Sequence, residues 1–407
     1  MKVLLIQSPT GRRETPIYPL GLAFLSSHLK ASGHECRGLD LSLSRNCRED
    51  LQLSLRTHSP NVAAVSLRNI DDSSWPVTWS YLDAFGDIME GLSGFSGSVV
   101  VGGPGFSIYS ERILSMWPRI DYGIAGEGEF ALPALIEAIG EDVPPPCRLL
   151  SPPKPSTHEL LNPDYTLFPV ADYSGKGAIG VQSRRGCPFG CRYCTYGHIG
   201  GREWRNRPVR SVAADVAELA RLGVKTFMFV DSVFDHPIEF ARELTRAVGK
   251  SRAGLEWGAW LSDTAPPDFL ALLSENGCRW VDFSPDAITK KGLRLLGKPG
   301  NGRSLYSVVR NARREGLSVG VNFFNGNPGE GFAALLQKLC FMVRARVFLG
   351  FRNTFVNIGT IRIYPGSPMA LDLPAGTDLL EPVFHAPRGM SAILFRFLAW
   401  IRRKRHR

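Results

Sequence analysis

Three cysteines share one short stretch of this sequence, Gln182-Ser-Arg-Arg-Gly-Cys-Pro-Phe-Gly-Cys-Arg-Tyr-Cys-Thr-Tyr-Gly, where Cys187, Cys191 and Cys194 stand at C-x3-C-x2-C spacing. Three thiolates on one loop suit a soft metal centre: an iron–sulfur cluster, zinc or a cuprous ion. Three ligands leave one coordination position open, and an open position is where metal chemistry proceeds. Gly186 and Gly190 admit backbone angles that other residues avoid, and Pro188 stiffens the first turn. Arg184, Arg185 and Arg192 offer positive charge beside a centre made anionic by its thiolates. His198, four residues past Cys194, leaves open a closed Cys3His zinc site.

The elements that must position this loop alternate strand and helix on both sides of it. Before it, apolar runs predict strands at 3–7, 35–39, 62–67, 98–101 and 122–125, with helices at 19–31, 77–89, 110–116 and 130–139. Pro19 in the first turn and Gly33 just past the end frame the first helix. This alternation predicts a parallel sheet covered on both faces, with a ligand outside the carboxyl ends of its strands. The loops there are 8–11, 68–72, 102–105 and 126–129. Val101-Gly-Gly-Pro-Gly lets backbone approach a large flat ligand, although tight-turn geometry explains each glycine loop equally well on its own.

Residues 141–177 are proline-stiffened, with Pro144-Pro-Pro and Ser151-Pro-Pro-Lys-Pro-Ser, and mark a junction. The alternation then resumes, with strands at 178–183, 226–230, 255–260, 280–283, 319–325 and 358–363 and helices at 212–222, 238–248, 267–275, 305–315 and 332–344. Six such repeats predict a partial (β/α)6 barrel whose site gathers at the carboxyl ends of the strands. The expected domains are 1–145, a strap at 146–177, a barrel at 178–370 and a C-terminal extension at 371–407.

At 407 residues, with 44% hydrophobic and 21% charged, the chain has the composition of a globular protein of two domains. No apolar run reaches the length of a membrane span, and the N-terminus opens directly on a strand without signal-peptide architecture. The other five cysteines, Cys36, Cys47, Cys147, Cys278 and Cys340, are scattered singly, which predicts a reducing cytoplasm and no disulfide framework. Of the net charge of +10, five positive charges fall in residues 402–407, so charge does not predict a nucleic-acid partner. The apolar stretch 391–401 followed by that basic run fits either a helix packed on the barrel or one lying at a membrane surface.

With Tyr193 immediately before the third cysteine, the C-x3-C-x2-C loop resembles the radical S-adenosylmethionine (SAM) signature. Pro19-Leu-Gly-Leu-Ala-Phe-Leu, Gly33-His34-Glu35, Val101-Gly-Gly-Pro-Gly and Gly126-Glu-Gly-Glu, in this order, make the N-terminal half similar to the cobalamin-binding domain that precedes many radical-SAM domains. The resemblance implies an α/β fold, a Rossmann-like cobalamin-binding domain followed by a partial (β/α)6 TIM-type barrel. It implies a [4Fe–4S] cluster on Cys187, Cys191 and Cys194, with SAM on the fourth iron, cleaved by one electron to a 5′-deoxyadenosyl radical. Cobalamin would lie between the domains, against Pro9, Thr10, Asn69, Gly102, Gly103, Gly126 and Glu127. Tyr193, Asp231, Ser232, Ser284 and Asp286 would hold SAM, although Asp231 could equally cap the next helix. Asn325-Gly-Asn-Pro-Gly329-Glu330 resembles a turn that packs near the adenine, and Asn162-Pro-Asp-Tyr with Phe168-Pro resembles a crossing strap. The Asp-x-His-x-x-Gly motif of enzymes that ligate cobalt with a protein imidazole is absent: the loop reads Gln7-Ser-Pro-Thr-Gly-Arg.

The implied reaction is methylation of an unreactive carbon or phosphorus of a small biosynthetic molecule, with an electron donor such as flavodoxin or ferredoxin. The alternatives are a cobalamin-dependent rearrangement or cyclisation without methyl transfer and, in another class, a zinc-stabilised binding protein. A methylthiotransferase would need a second group of three cysteines. No side chain is singled out as a general acid or base. Arg362 could meet an acid or a phosphate, and Arg202-Glu-Trp204-Arg-Asn-Arg207 could cover the cluster or meet an anionic substrate.

Overall fold

A computed structural model describes residues 1–10, 16–143, 145–173, 175, 177–251, 254–300, 305–350 and 353–404. Gly11 of the 8–11 loop and residues 405–407 of the basic run lie outside the described residues. The chain divides into two compact units, Met1–Asp72 with Trp79–Gly186 and Ile199–Met228, and Ser73–Thr78 with Cys187–His198 and Phe229–Arg407.

Strands β1 (Lys2–Gln7), β2 (Glu35–Asp40), β3 (Val62–Ser66), β4 (Ser98–Gly102), β5 (Tyr122–Ile124) and β6 (Leu149–Leu150) form a sheet in the order β2-β1-β3-β4-β5-β6. Every pairing is parallel. Val3, Leu4, Leu5 and Ile6 of β1 are all fully buried, as an apolar run covered on both faces must be. The strand order reverses between β1 and β3, so their carboxyl ends form the switch point at which open α/β sheets bind ligands. β6 carries this sheet on to residue 150, past the 145 expected as the domain edge.

Three helices of this sheet depart from expectation. The one expected at 77–89 begins only at Leu82 and runs to Gly91. Residues 72–79 are spent on a loop instead: the Asp72 amide donates to the Trp79 carbonyl and the Tyr81 amide to that of Ile70. The helix expected at 110–116 begins earlier, at Pro104, because proline at its first position is compatible with helix and the Gly103 turn feeds directly into it. A helix at Cys47–His58 has no counterpart among the expected elements, although Asn46 caps it: the Asn46 side chain accepts from the Glu49 amide and donates to the Glu49 carboxylate.

The strap packs on the first helix, Leu20–Ala31. Asp164 accepts from Ser26 Oγ (2.7 Å) and Lys30 Nζ (2.6 Å). Tyr18, Tyr165, Phe168 and Tyr173 are all buried, with Tyr18 in ring contact with each of the other three. A Cβ at Gly38 would meet the Leu167 carbonyl and the Phe168 ring, each at 2.7 Å, so the strand must be bare where the strap crosses it.

Further along are β7 (Gly180–Val181), β8 (Arg184–Arg185), β9 (Arg205–Asn206), β10 (Thr226–Phe229), β11 (Glu256–Leu261), β12 (Cys278–Asp286), β13 (Ser318–Asn325), β14 (Thr354–Arg362) and β15 (Phe384–His385). Seven of them form a sheet in the order β15-β14-β13-β12-β11-β10-β7, and β8 pairs with β9 in a two-stranded ribbon. The pairings from β11 to β14 are parallel and follow sequence order, with helices Pro267–Glu275, Leu305–Arg314 and Phe332–Leu349 between strands, which is the winding of a partial (β/α)6 barrel. β15 closes the edge in the antiparallel sense. The strand expected at 178–183 shrinks to Gly180–Val181, because the chain turns there into the β8–β9 ribbon.

Helix Met390–Lys404 contains the apolar stretch 391–401. Ser391 is buried on it, whereas Met390, Ile393 and Phe397 are exposed. Among the described residues no helix is long and apolar enough to cross a membrane.

Candidate functional site

All three signature cysteines are free thiols, with Cys187 and Cys191 buried and Cys194 half-buried. Gly186, which leads into them, has φ +78°, and a Cβ there would run into the Glu203 carbonyl. Only glycine makes that turn. The loop backbone is tied on both sides: the Arg192 amide donates to the Leu296 carbonyl (2.8 Å), and the Met369 amide donates to the Arg192 carbonyl (2.9 Å). Burial pushes the Cys191 thiol up to about 11, with Cys194, Asp286 and Cys187 adding to the rise and Lys298 opposing it. Cys194 is raised by burial too, and Cys187 adds to the rise. A metal cation binding at Cys191 and Cys194 would displace the proton that burial favours there, which is the chemistry of a cluster-binding loop.

Among the described residues no three His, Cys, Asp or Glu side chains are gathered for a single ion. His198, the fourth ligand of the zinc alternative, stands against Gly366, where a Cβ would meet its ring at 2.5 Å. The donor set therefore fits a four-iron cluster, three of whose irons take one thiolate each, better than a tetrahedral zinc with every ligand at about 2.0–2.3 Å.

Two of the SAM candidates, Tyr193 and Asp286, are hydrogen-bonded to each other. The Tyr193 hydroxyl donates to Asp286 Oδ2 (2.5 Å), and its ring meets Phe324 edge-on at 5.1 Å. Asp286 is buried and also takes Lys298 Nζ on Oδ2 at 2.7 Å. Burial pushes the Asp286 carboxyl up, and Lys298 and Tyr193 oppose it. Ser284 is half-buried one turn of the pleat earlier, at a register shift between Phe283 and Asp286. Asp231 is buried and Ser232 half-buried just past β10.

Lys298 and Asp263 were not legible as site residues. Lys298 lies between two helices and belongs to no motif. Asp263 follows β11, where a carboxylate at a strand end was a signal of the same kind as Asp231. Its Oδ2 is buried without a hydrogen-bond partner among the described residues, and burial raises its pKa.

Several charges expected to face ligand are engaged elsewhere. Glu330 accepts from the Ile288 and Thr289 amides (2.9 and 2.8 Å), from Thr289 Oγ1, from Asn327 Nδ2 and from Lys338 Nζ (2.5 Å), so the turn after β13 is pinned by a buried ion pair. Arg362 is buried and donates to the carbonyls of Leu379 and Glu381. In the 202–207 segment, expected to cover the cluster or meet an anionic substrate, Arg207 is buried on Asp215 (2.6 Å) and Arg205 binds the Glu127 carboxylate. Desolvation lifts Asp215 to about 6 despite Arg207.

In the other unit, Pro9, Thr10, Asn69, Gly102, Gly103, Gly126 and Glu127 follow or end β1, β3, β4 and β5, so they stand at the carboxyl ends of one sheet. Asn69 is exposed and Thr10 buried. Gly103 has φ +97°, and a Cβ there would meet the Leu67 carbonyl at 2.8 Å. Gly126 has φ +114° with no atom within 4 Å of the place a Cβ would take, and its amide bonds Ser107 Oγ (2.9 Å). Bare backbone facing open space fits a large planar group. Glu127 fits less well, because its carboxylate is bound by Arg185 (2.7 Å) and Arg205, while Arg185 also binds Glu129.

A parallel sheet whose strand order reverses at β1 and β3, followed by a barrel-type sheet with three thiols on one loop, is the arrangement expected of a cobalamin-binding radical-SAM protein. The family models agree. Residues 9–136 match the B12 binding domain and residues 181–337 the Radical SAM superfamily, so the chain belongs to the radical SAM superfamily and carries a B12-binding domain ahead of it. Its cofactors are accordingly a [4Fe–4S] cluster, SAM and cobalamin. The chain is 25% identical over 81% of its length to an uncharacterized methyltransferase of Pyrococcus horikoshii, covering 75% of that protein. It is 22% identical over 75% of its length to a hopanoid C-3 methylase of Methylococcus capsulatus, covering 60% of it. In fold it is similar to the radical SAM methyltransferase TsrM from Kitasatospora setae, solved with cobalamin and a [4Fe–4S] cluster bound, at TM-score 0.78 and 23% identity over 91% of this chain and 77% of that one.

Proposed function

We propose that this enzyme methylates an unactivated carbon or phosphorus of a small biosynthetic molecule. The observation that carries the reading is the loop of three free thiols at C-x3-C-x2-C spacing on a chain that also bears a B12-binding domain. The names of the two relatives, a methyltransferase and a C-3 methylase, support methyl transfer. When bound, the cluster supplies the electron that splits SAM, and cobalamin carries the methyl group.

The chain's own residues do the rest. Cys187, Cys191 and Cys194 bind the cluster. Tyr193, Asp231, Ser232, Ser284 and Asp286 orient SAM, with Asp286 fixed through Tyr193 and Lys298. Pro9, Thr10, Asn69, Gly102, Gly103 and Gly126 present backbone and short side chains to the corrin, and Glu127 takes part through the arginines it holds. The work divides among 1–145, 146–177, 178–370 and 371–407, with β6 extending the first sheet to residue 150. An electron donor of the flavodoxin or ferredoxin kind would serve the cluster in a reducing cytoplasm, and the helix Met390–Lys404 with the basic run to 407 would be available to a membrane surface.

The test is anaerobic reconstitution followed by incubation with SAM and dithionite. Iron, sulfide and cobalamin should co-purify, and 5′-deoxyadenosine should form. Alanine at Cys187, Cys191 and Cys194 together should abolish both the iron and the deoxyadenosine; deoxyadenosine formed by that variant would sink the reading. With SAM deuterated at its methyl group, a product lacking the label would leave the rearrangement or cyclisation alternative.

A further inference from the structure

Three arginines flank the cysteines in sequence, but each has another partner. Arg185 binds Glu127 and Glu129, the Arg184 guanidinium lies over the Trp204 ring at 5.5 Å, and Arg192 binds Asp372 (2.6 Å). The cation brought to the cysteine loop comes from far along the chain.

We propose that Lys298 is the positioning residue that sets the reduction potential of the [4Fe–4S] cluster, by holding a fixed positive charge against the loop of Cys187, Cys191 and Cys194. This rests on the reading that the loop carries that cluster. The segment that delivers Lys298 is clasped onto the loop: the Leu296 carbonyl accepts from the Arg192 amide at 2.8 Å. Gly297, at φ +62°, lies so close that a Cβ would meet the Gly190 carbonyl at 2.5 Å. Lys298 Nζ then binds Asp286 Oδ2 at 2.7 Å and stands 3.5 Å from the hydroxyl of Tyr193, the residue immediately before Cys194 in the signature.

Asp286 is aimed rather than incidental. It follows the register shift in β12 and holds φ +65°, a conformation rare outside glycine, and such bulges re-aim side chains beside sites. Burial works against the Lys298 charge, yet Asp286, Cys191 and Cys194 outweigh it and raise the lysine pKa, so the ammonium persists. Three thiolates make the loaded loop anionic, and reduction adds one more negative charge. A cation nearby in a poorly solvated site favours the reduced form and raises the potential.

The experiment titrates reconstituted holoenzyme with dithionite as the one-electron donor, without SAM or substrate, and follows the reduced cluster by electron paramagnetic resonance. Lys298→Met and Lys298→Gln should lower the reduced-to-oxidised ratio at fixed potential at least tenfold, a shift of about 59 mV for one electron. Lys298→Arg should restore the wild-type value. Fully loaded neutral variants with an unchanged potential would overturn the proposal. So would loss of the cluster from both neutral variants with full loading of Lys298→Arg at a shifted potential, since that assigns a structural role only. A wild-type protein that takes up no [4Fe–4S] cluster sinks the functional reading instead, before any variant is compared.

Discussion

The carboxyl ends of β3, β4 and β5 and those of β12 and β13 both sit where α/β sheets place their ligands, but they are made of different material. After β4 and β5 the chain offers glycine backbone, Gly103 and Gly126, at positive φ. After β12 and β13 it offers buried charge already matched to charge, Asp286 with Lys298 and Glu330 with Lys338. Glycine removes side chains so that something broad can approach. A buried ion pair does the opposite: once desolvated it is costly to break, so it holds a loop in one geometry. The first arrangement suits a large flat ligand, and the second suits a cluster and a charged sulfonium whose atoms must be held at fixed places.

Three substitutions bear on that contrast. The largest effect is expected from Glu330→Gln, which leaves Lys338 buried without its partner and should cost about 3–5 kcal/mol in denaturant unfolding. Burial pushes the Glu330 pKa up, but Lys338 and the Thr289 donors outweigh it and hold it below the ordinary glutamate value. A carboxylate with a lowered folded pKa contributes stability above its unfolded pKa and loses it as pH falls through the folded one. Wild-type stability should therefore fall on the acid side of the ordinary glutamate pKa, and the Glu330→Gln profile should be flatter there. An equally steep profile would break the comparison on the barrel side.

Gly103→Ala comes next. Backbone strain and the contact with the Leu67 carbonyl together should cost about 2–4 kcal/mol, read as a lowered Tm. Smallest in stability is Gly126→Ala, about 1–2 kcal/mol, because its Cβ meets nothing and only the backbone is strained. If Gly126 faces the corrin, the same variant should bind hydroxocobalamin at least tenfold more weakly in an absorbance titration. Unchanged binding would assign this glycine to turn geometry alone.

Part of this was legible from the chain because it is local. The C-x3-C-x2-C loop, the apolar runs of β1, β3 and β4 and the glycine turns are short-range patterns, and all are found where the residues predict them. The helix at Cys47–His58 was missed despite the capping signal of Asn46, because its apolar face is narrow, with Leu51 as its one buried apolar side chain. The start of the Leu82–Gly91 helix was not legible, since the hydrogen bonds that hold 72–79 as a loop join residues seven and eleven apart. Glu127 and the arginines misled in the same way: the sequence shows a charge but not its partner, and Arg205 reaches Glu127 across 78 residues.

What the amino-acid order determined by itself was the kind of centre, because thiol spacing on one loop and strand–helix alternation are set by neighbours along the chain. What only the folded molecule decided was which charges face that centre. The arginines beside the cysteines turned to other partners, Arg185 and Arg192 to carboxylates and Arg184 to the Trp204 ring, and Lys298, 104 residues beyond Cys194, stands on Asp286. Electrostatic partners are chosen by distance in space and by the cost of burying a charge alone, and neither is written in sequence separation.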